Sequence, residues 1–191
     1  MARVLIVCTA NVCRSPMAAG LLQKHLLLVG ANVKVHSAGT QSVELPVDPQ
    51  AVRAAREFGV DLRAHRPRQF DAAMLATDGA DLIVTMTRQH LRDVVFADPL
   101  VWPRTFTLRE LVRRSLQTPT SAATRGLRDW VGALGDTRVR GNVLNDDPND
   151  DVIDPYGQSM RKVRSVAAEL DHLTGQLCAR APWPHRSTDP G

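Results

Sequence analysis

Short apolar runs alternate with amphipathic segments along most of this chain. The first run, at residues 3–7, ends on four branched apolar residues, which is typical of a strand buried in a parallel sheet. Residues 16–26 follow with good helix formers and a proline in the first turn, where a helix tolerates one. The pattern predicts two further strands, at 33–37 and 81–86, and three further helices, at 50–58, 87–96 and 108–116. It therefore indicates an α/β fold.

Residues 100–107 and the region after residue 116 are harder to assign. Residues 100–107 are apolar enough for another strand, although Pro103 weakens its centre. One amphipathic helix is predicted at 126–134, between stretches at 118–124 and 137–149 that have the composition of loops.

The C-terminal part contains the clearest periodicity. Apolar residues recur three and four apart over residues 159–177, which predicts a long final helix. Residues 179–191 hold three prolines and no apolar repeat. We therefore predict one domain over 1–178 and a disordered tail over 179–191.

Composition narrows the class of protein. The 191 residues are 43% hydrophobic and 4% aromatic, which fits one α/β domain with an aliphatic core. The net charge of +4 includes no dense basic run, so we expect no nucleic-acid binding. Three cysteines make no disulfide framework and favour a reducing compartment. The run at 3–7 is too short for a secretion signal, and no segment has the length of a membrane span. We expect a cytoplasmic monomer that does not bind membranes.

A cysteine and an arginine bracket the loop between the first strand and the first helix. Five residues separate Cys8 from Arg14, so the loop can wrap one tetrahedral anion with its N–H groups and the helix N-terminus facing inward. The same positive field favours the thiolate of Cys8, which is the nucleophilic form. Arg14 can hold two phosphate oxygens in its planar fork, and Ser15 can donate to the sulfur. The predicted phosphate-binding residues are Thr9, Ala10, Asn11, Val12, Cys13, Arg14 and Ser15.

The loop reads Cys8-Thr9-Ala10-Asn11-Val12-Cys13-Arg14-Ser15-Pro16, which resembles the signature of the low-molecular-weight protein tyrosine phosphatase family. Segments 37–40, 81–87 and 154–157 resemble later landmarks of that family. The resemblance implies a three-layer sandwich with a short central parallel sheet flanked by helices and the phosphate-binding loop after the first strand. It also implies hydrolysis of a phosphate monoester through a cysteinyl-phosphate, without a cofactor. The implied partner is a phosphotyrosine-containing protein or a small phosphate monoester.

The resemblance implies a general acid far from the loop in sequence. Asp154 stands in Asp154-Pro155-Tyr156-Gly157, where the family keeps its proton donor. Tyr156 would flank the substrate crevice and stack on an aryl ring. The expected catalytic residues are Cys8, Arg14 and Asp154.

The resemblance also implies a hydrogen-bond network behind the loop. Ser37 and His65 would join Asn11 and Ser15, which would hold the loop in shape before phosphate arrives. Cys13 is either a thiol that resolves oxidised Cys8 or a second small buried residue.

Three positions depart from the family pattern. Many relatives carry aromatic residues where this chain has residues 41–45 and Gly157, which weakens the expected aryl wall. Many also have glycine where this chain has Ala10, which a negative φ would tolerate. The chemistry of the loop is therefore predicted more firmly than a preference for tyrosine.

Other interpretations of the site remain open. Five aspartates lie within residues 146–154, but their spacing lacks the ligand order of an EF-hand, and we expect a flexible acidic loop without a metal. An arsenate reductase of the same fold would need only Cys8 and an external small thiol. A phosphate- or phosphotyrosine-binding module would need neither the nucleophile nor the acid.

Overall fold

The computed structural model describes residues 1–117, 126–136, 138 and 147–185. Within these residues, four strands form one parallel sheet in the order β2-β1-β3-β4. The strands are β1 (Ala2–Cys8), β2 (Val33–Gly39), β3 (Leu82–Thr85) and β4 (Thr105–Thr107). The predicted parallel sheet is confirmed.

Helices cover both faces of the sheet. Val4, Ile6 and Cys8 of β1 belong to one apolar cluster, while Leu5 and Val7 belong to the other, because successive strand residues point to opposite faces. The helices are α1 (Arg14–Leu28), α2 (Pro49–Glu57), α3 (Ala72–Leu75), α4 (Arg88–Ala97), α5 (Leu108–Gln117), α6 (Leu127–Asp136) and α7 (Met160–Arg180). The result is the expected three-layer sandwich.

The topology brings several chain segments to one edge of the sheet. Cys8 is the last residue of β1 and lies beside Gly39, the last residue of β2. Thr85 ends β3 in register with Val7. Because the carboxyl ends of parallel strands meet at one edge, the segments that follow Cys8, Gly39 and Thr85 converge there.

The strand predicted at 100–107 is wrong over most of its length. Residues Pro99–Arg104 form a 3-10 helix, and only Thr105–Thr107 join the sheet. Asp98 caps the 3-10 helix by accepting from the N–H of Leu100, and Pro99 occupies a first-turn position. The cap and the two prolines outweigh the apolar content of this segment.

The tail predicted from residue 179 is ordered over its first part. Helix α7 continues to Arg180, and Trp183 is 6% exposed, with its indole N–H donating to the carbonyl of Cys178. His185 forms a β-bridge with Ala31. The prediction of disorder is wrong for 179–185, because Trp183 packs into the core, while 186–191 lie outside the described residues.

The loops predicted at 118–124 and 137–149 lie mostly outside the described residues. Asp150, which the sequence places in a flexible acidic loop, is 2% exposed and pairs with Arg113. That expectation is wrong for Asp150, since a buried carboxylate needs such a partner. In the part of the chain that the structure describes, we find no helix long and apolar enough to cross a membrane.

Candidate active site

The loop after β1 turns its carbonyl groups away from its centre. Asn11 allows the turn, with a φ of 58° in the left-handed region that asparagine tolerates better than most residues. Five carbonyls of the loop accept hydrogen bonds from surrounding groups: those of Cys8, Thr9, Asn11, Val12 and Cys13, from the N–H groups of Thr40, Gln41, Asp48 and Met17 and from the ring of His65. The carbonyls are thus fixed by the scaffold.

The backbone N–H groups of the same loop have no such partners. Among the described residues, we find no acceptor for the backbone N–H groups of residues 10–15. The next residue, Pro16, has no N–H to donate. Cys13 is the N-cap of α1, and its side chain makes no capping hydrogen bond. A ring of free N–H groups at a helix N-terminus is a binding site for a tetrahedral anion.

Gly39 lets β2 approach this loop closely. A Cβ at this position would lie 2.5 Å from the carbonyl oxygen of Thr9 and 3.0 Å from the carbonyl carbon of Ala10. Any larger residue would push the loop away from the sheet. Glycine is therefore required here by contact with the loop rather than by a positive φ.

Cys8 lies at the base of the loop, 3% exposed. Its Sγ is 3.0 Å from Oγ of Ser15. The hydroxyl of Ser15 also accepts from Nδ2 of Asn11 at 2.9 Å, so its own hydrogen is free for the sulfur or for the carbonyl of Ala38 at 3.3 Å. Ser15 can thus donate to a thiolate and turn to Ala38 when the sulfur is esterified.

The side chain of Asn11 organises the predicted network. Its Nδ2 donates to the hydroxyls of Ser15 and Ser37, each at 2.9 Å, and its Oδ1 accepts from the N–H of Arg68 at 3.2 Å. Because a backbone N–H can only donate, this last contact fixes the orientation of the amide. The structure brings together Asn11, Ser15 and Ser37 as expected, and adds Arg68.

His65 contacts the network through the backbone. Its Nε2 donates to the carbonyl of Asn11 at 2.9 Å rather than to a side chain. Burial lowers the pKa of His65, and the charges of Arg68 and Arg66 lower it further, against the hydrogen bond with Asn11. A neutral imidazole can still donate this bond.

Cys13 is buried in the same loop as Cys8. Burial raises the pKa of its thiol far above the usual range, and the charges of Asp48 and Asp154 raise it further. Cys13 is therefore a thiol in this state, which leaves Cys8 as the loop cysteine bonded to a hydroxyl donor.

Arg14 reaches from α1 to the segment that carries Asp154. Its Nη2 donates to Oδ2 of Asp154 at 2.6 Å and to Oγ1 of Thr9 at 3.3 Å, and its Nη1 donates to the carbonyl of Val152 at 3.3 Å. The side chain of Arg14 is 6% exposed and that of Asp154 is 50% exposed. The three predicted catalytic residues, Cys8, Arg14 and Asp154, thus lie around the same loop.

Residues before Asp154 anchor its segment to the sheet edge. The N–H of Val152 donates to the carbonyl of Met86 at 2.8 Å, and Oδ1 of Asp151 accepts from the N–H of Arg88 at 2.7 Å. Asp150 pairs with Arg113 and lies 3.8 Å from Nη1 of Arg88. Charged side chains therefore hold the predicted acid in place.

The rim residues agree with parts of the sequence interpretation. Tyr156 is 52% exposed, and its N–H donates to Oδ1 of Asp154 at 3.1 Å. Gly157 has a φ of 71°, in the left-handed region, where an aromatic residue would be strained. Asn11 is the one described residue other than glycine with positive φ, so Ala10 meets the condition for tolerating its methyl group.

Sequence reasoning missed a buried histidine at this site. His90 in α4 is 4% exposed, and its Nε2 lies 2.8 Å from Oγ1 of Thr9, which follows Cys8. Its position shortly after β3, whose end meets that of β1, is the signal that could have revealed it. Within the described residues, we find no cluster of side chains able to hold a metal ion.

Comparison with known proteins connects this geometry to a family. The family model for low molecular weight phosphotyrosine protein phosphatase matches residues 3–121. A probable low molecular weight protein-tyrosine-phosphatase of Ralstonia solanacearum is 33% identical over 132 residues, covering 69% of this chain and 87% of that protein. A protein-arginine-phosphatase of Bacillus subtilis is 29% identical over 175 residues, covering 91% and 93%.

Solved structures extend the similarity over nearly the whole chain. The low molecular weight protein tyrosine phosphatase from T. tengcongensis superposes with a TM-score of 0.70 at 29% identity, covering 94% of this chain and 99% of that one. Coverage of 94% means that the superposed region extends beyond residue 121, where the match to the family model ends.

Proposed function

Since the chain belongs to the low molecular weight phosphotyrosine protein phosphatase family, we propose that it hydrolyses phosphate monoesters through a phosphate ester of Cys8. The observation that carries the proposal is the loop of residues 8–15: its carbonyls are bonded to the surrounding scaffold, and the N–H groups of residues 10–15 have no acceptor among the described residues. Such a loop binds a phosphoryl group with the sulfur of Cys8 beneath it.

The first step forms a P–S bond and breaks the P–O bond of the ester. The thiolate of Cys8 attacks phosphorus, while Arg14 and the loop N–H groups stabilise the charge on the equatorial oxygens. Asp154 gives its proton to the oxygen of the leaving group. In this step Ser15 turns its hydroxyl from Cys8 to Ala38.

The second step returns the enzyme to its starting state. Asp154, now ionised, takes a proton from a water molecule that attacks phosphorus, and the P–S bond breaks. The electron pair returns to Cys8, where the hydroxyl of Ser15 stabilises the departing thiolate at a distance of 3.0 Å. Inorganic phosphate is released.

The ion pair between Arg14 and Asp154 must open during this cycle. Nη2 of Arg14 donates to Oδ2 of Asp154 at 2.6 Å, whereas the first step needs this carboxyl group to give a proton to the leaving group. A phosphate dianion competes for Arg14 and so frees Oδ2 of Asp154. Substrate binding therefore prepares the acid as well as the phosphate.

Phosphotyrosine in a protein is the substrate class that we propose first, because relatives at 30% identity or more are named protein-tyrosine-phosphatases. Phosphoarginine is the second candidate, since a relative named protein-arginine-phosphatase matches 91% of this chain. For phosphoarginine the bond broken in the first step is P–N instead of P–O, and the guanidine leaving group would also take its proton from Asp154. Residues 41–45 and Gly157 provide no aromatic side chain that would select for a phenol.

A substrate panel tests the proposal. We expect the wild-type protein to hydrolyse p-nitrophenyl phosphate and a phosphotyrosine peptide, with a phosphoarginine peptide and arsenate plus small thiols measured in parallel. Faster release of phosphate from phosphoarginine would favour the second candidate. Arsenate reduction without ester hydrolysis would favour a reductase, and binding of phosphate without any turnover would favour a binding module.

A further inference from the structure

A chain of three side chains connects α4 to the predicted phosphate site. Nδ1 of His90 lies 2.9 Å from Oγ1 of Thr87, and Nε2 of His90 lies 2.8 Å from Oγ1 of Thr9. Oγ1 of Thr9 in turn accepts from Nη2 of Arg14 at 3.3 Å. His90 therefore connects the end of β3 with the guanidinium group that would hold phosphate.

Thr87, His90 and Thr9 can share their hydrogens in two arrangements. In both, the backbone N–H of His90 donates to Oγ1 of Thr87 at 3.2 Å. If the hydroxyl of Thr87 donates to Nδ1, then Nε2 carries the ring hydrogen and donates to Thr9. Oγ1 of Thr9 then accepts from both His90 and Arg14, and its own hydrogen has no acceptor within the chain of three. In the opposite tautomer, the hydrogen without an acceptor is that of Thr87.

The two arrangements differ in where the free hydrogen lies. Thr9 is partly exposed, follows Cys8 directly and contacts Arg14, so an acceptor arrives beside it when phosphate binds. Thr87 caps the N-terminus of α4 and lies on the other side of the His90 ring from Thr9. With phosphate bound, the first arrangement pairs every hydrogen of the three side chains within the site, whereas the second leaves the hydroxyl hydrogen of Thr87, which is also partly exposed, to solvent.

The electrostatic environment of His90 keeps the ring in the neutral form that this arrangement needs. Burial, followed by the charge of Arg14, lowers the pKa of His90 to about 3. A neutral ring has one donor and one acceptor nitrogen, so it can accept from Thr87 and donate to Thr9 at the same time.

We propose that the hydroxyl of Thr9 is a ligand of the bound phosphate and that His90 is the positioning residue that turns it there. The inference rests on the proposed function for the position of the phosphate. It adds a side-chain donor to the backbone N–H groups of the loop and assigns a role to a residue in α4. His90 acts through Thr9 and touches neither substrate nor sulfur.

Four single substitutions test the proposal against a purely structural role. Thr9→Val removes the hydroxyl at nearly constant volume, and Thr9→Ser keeps it. His90→Gln can place an amide near the former Nε2 and so retain the contact with Thr9, whereas His90→Asn can retain only the contact with Thr87. Dissociation constants for orthovanadate and inorganic phosphate, measured by calorimetry, give a readout that does not depend on turnover.

We expect Thr9→Val and His90→Asn each to weaken anion binding about tenfold, which is the loss of one hydrogen bond to a charged group. Thr9→Ser and His90→Gln should stay within about threefold of wild type. The double variant Thr9→Val/His90→Asn should bind no more weakly than either single variant, because both remove the same contact. Unchanged affinity in Thr9→Val, or full additivity in the double variant, would overturn the proposal.

A measurement on the wild-type protein covers the case in which His90 variants fail to fold. Long-range nitrogen–proton spectra of the histidine rings report the tautomer of His90, which we expect to carry its hydrogen on Nε2. A hydrogen on Nδ1 would overturn the inference. If the spectra and the anion affinities agree with it but no ester is hydrolysed, the proposed function fails while the assignment of Thr9 and His90 as anion-site residues stands.

Discussion

The phosphate loop, residues 8–15, and the acid segment, residues 147–156, meet at Arg14 but are held in different ways. Neutral hydrogen bonds from Asn11, His65 and neighbouring backbone groups fix the phosphate loop. Ion pairs of the buried Asp150 and a backbone hydrogen bond from Val152 to Met86 fix the acid segment, while Asp154 near its end is half exposed. The phosphate loop is an anion site held by neutral hydrogen bonds, and the acid segment is a charged segment that contacts it through Asp154.

The difference corresponds to the two tasks of the proposed reaction. The phosphate loop must present the same N–H groups to the ester and to the cysteinyl-phosphate, so a preformed loop spares the cost of reorganisation. Asp154 must release Arg14 and change protonation twice in each cycle. A contact between charges near solvent can be exchanged for a phosphate oxygen more readily than a buried network can.

Loss of the nucleophile should have the largest effect. We expect Cys8→Ser to lower kcat for p-nitrophenyl phosphate by at least about a thousandfold, because no P–S bond can form. Affinity for inorganic phosphate should persist, since the loop N–H groups and Arg14 remain. Retention of more than a tenth of the wild-type kcat would contradict the role of Cys8.

Loss of the acid should affect catalysis without affecting the anion site. We expect Asp154→Asn to lower kcat about a hundredfold or more for phenyl phosphate, because phenolate is a poor leaving group without a proton. The decrease should be smaller for p-nitrophenyl phosphate. Phosphate affinity should stay equal or rise, since Arg14 loses a competitor. Equal decreases for both esters would argue against proton donation by Asp154.

A methyl group at position 39 should disturb the phosphate loop itself. We expect Gly39→Ala to reduce the free energy of unfolding by about 1 to 3 kcal/mol and to weaken vanadate binding, because its Cβ would lie 2.5 Å from the carbonyl oxygen of Thr9. The matched control is Gly132→Ala in α6, where a Cβ meets nothing within 4 Å. Chemical denaturation of both variants gives the comparison. Equal behaviour of the two would refute the close packing.

A weakened anchor of the acid segment should have a smaller effect. We expect Asp151→Ala to lower kcat a few-fold, since it removes the acceptor of the N–H of Arg88 while the bond from Val152 to Met86 remains. Vanadate affinity should not change. A loss of vanadate affinity as large as that of Gly39→Ala would mean that the two regions are not independent.

The pH dependence of stability should reveal the half-buried imidazole of His65 behind the phosphate loop. The pKa of His65 is lower in the folded protein than in the unfolded chain, so the unfolded state binds more protons below about pH 6.5. The contribution of His65 to stability is complete above that pH and is lost as the pH falls. We expect the free energy of unfolding to decrease less between pH 6.5 and 5 in His65→Gln than in wild type. A steeper decrease in the variant would show the opposite shift.

The sequence was most informative where structure and chemistry are local. Strand β1, the loop and the start of α1 follow one another without a break, so Cys8, Arg14 and Ser15 could be assigned from spacing and from the family resemblance. The network of Asn11 with Ser37 needed that resemblance, because 26 residues separate the two. The structure confirms these contacts, while the roles of the residues remain predictions.

The sequence was least informative where a contact depends on strand order. Thr9 and His90 are 81 residues apart and meet because β3 lies beside β1, which no local pattern shows. Residues Pro99–Arg104 are apolar like a strand, but Asp98 caps them as a 3-10 helix. Trp183 stands among prolines without a repeat, so no local pattern predicts that it packs into the core and donates to the carbonyl of Cys178.

The most direct test of the account is to trap the phosphorylated enzyme. Asp154→Asn is mixed with p-nitrophenyl phosphate and quenched in acid within the first turnovers, and its peptides are analysed by mass spectrometry. Because Asp154 also serves as the base for the second step, the intermediate should accumulate, and we predict phosphate on Cys8 and none on Cys13 or Cys178. Release of p-nitrophenol with no phosphate on Cys8, or with phosphate on another residue, would contradict the account.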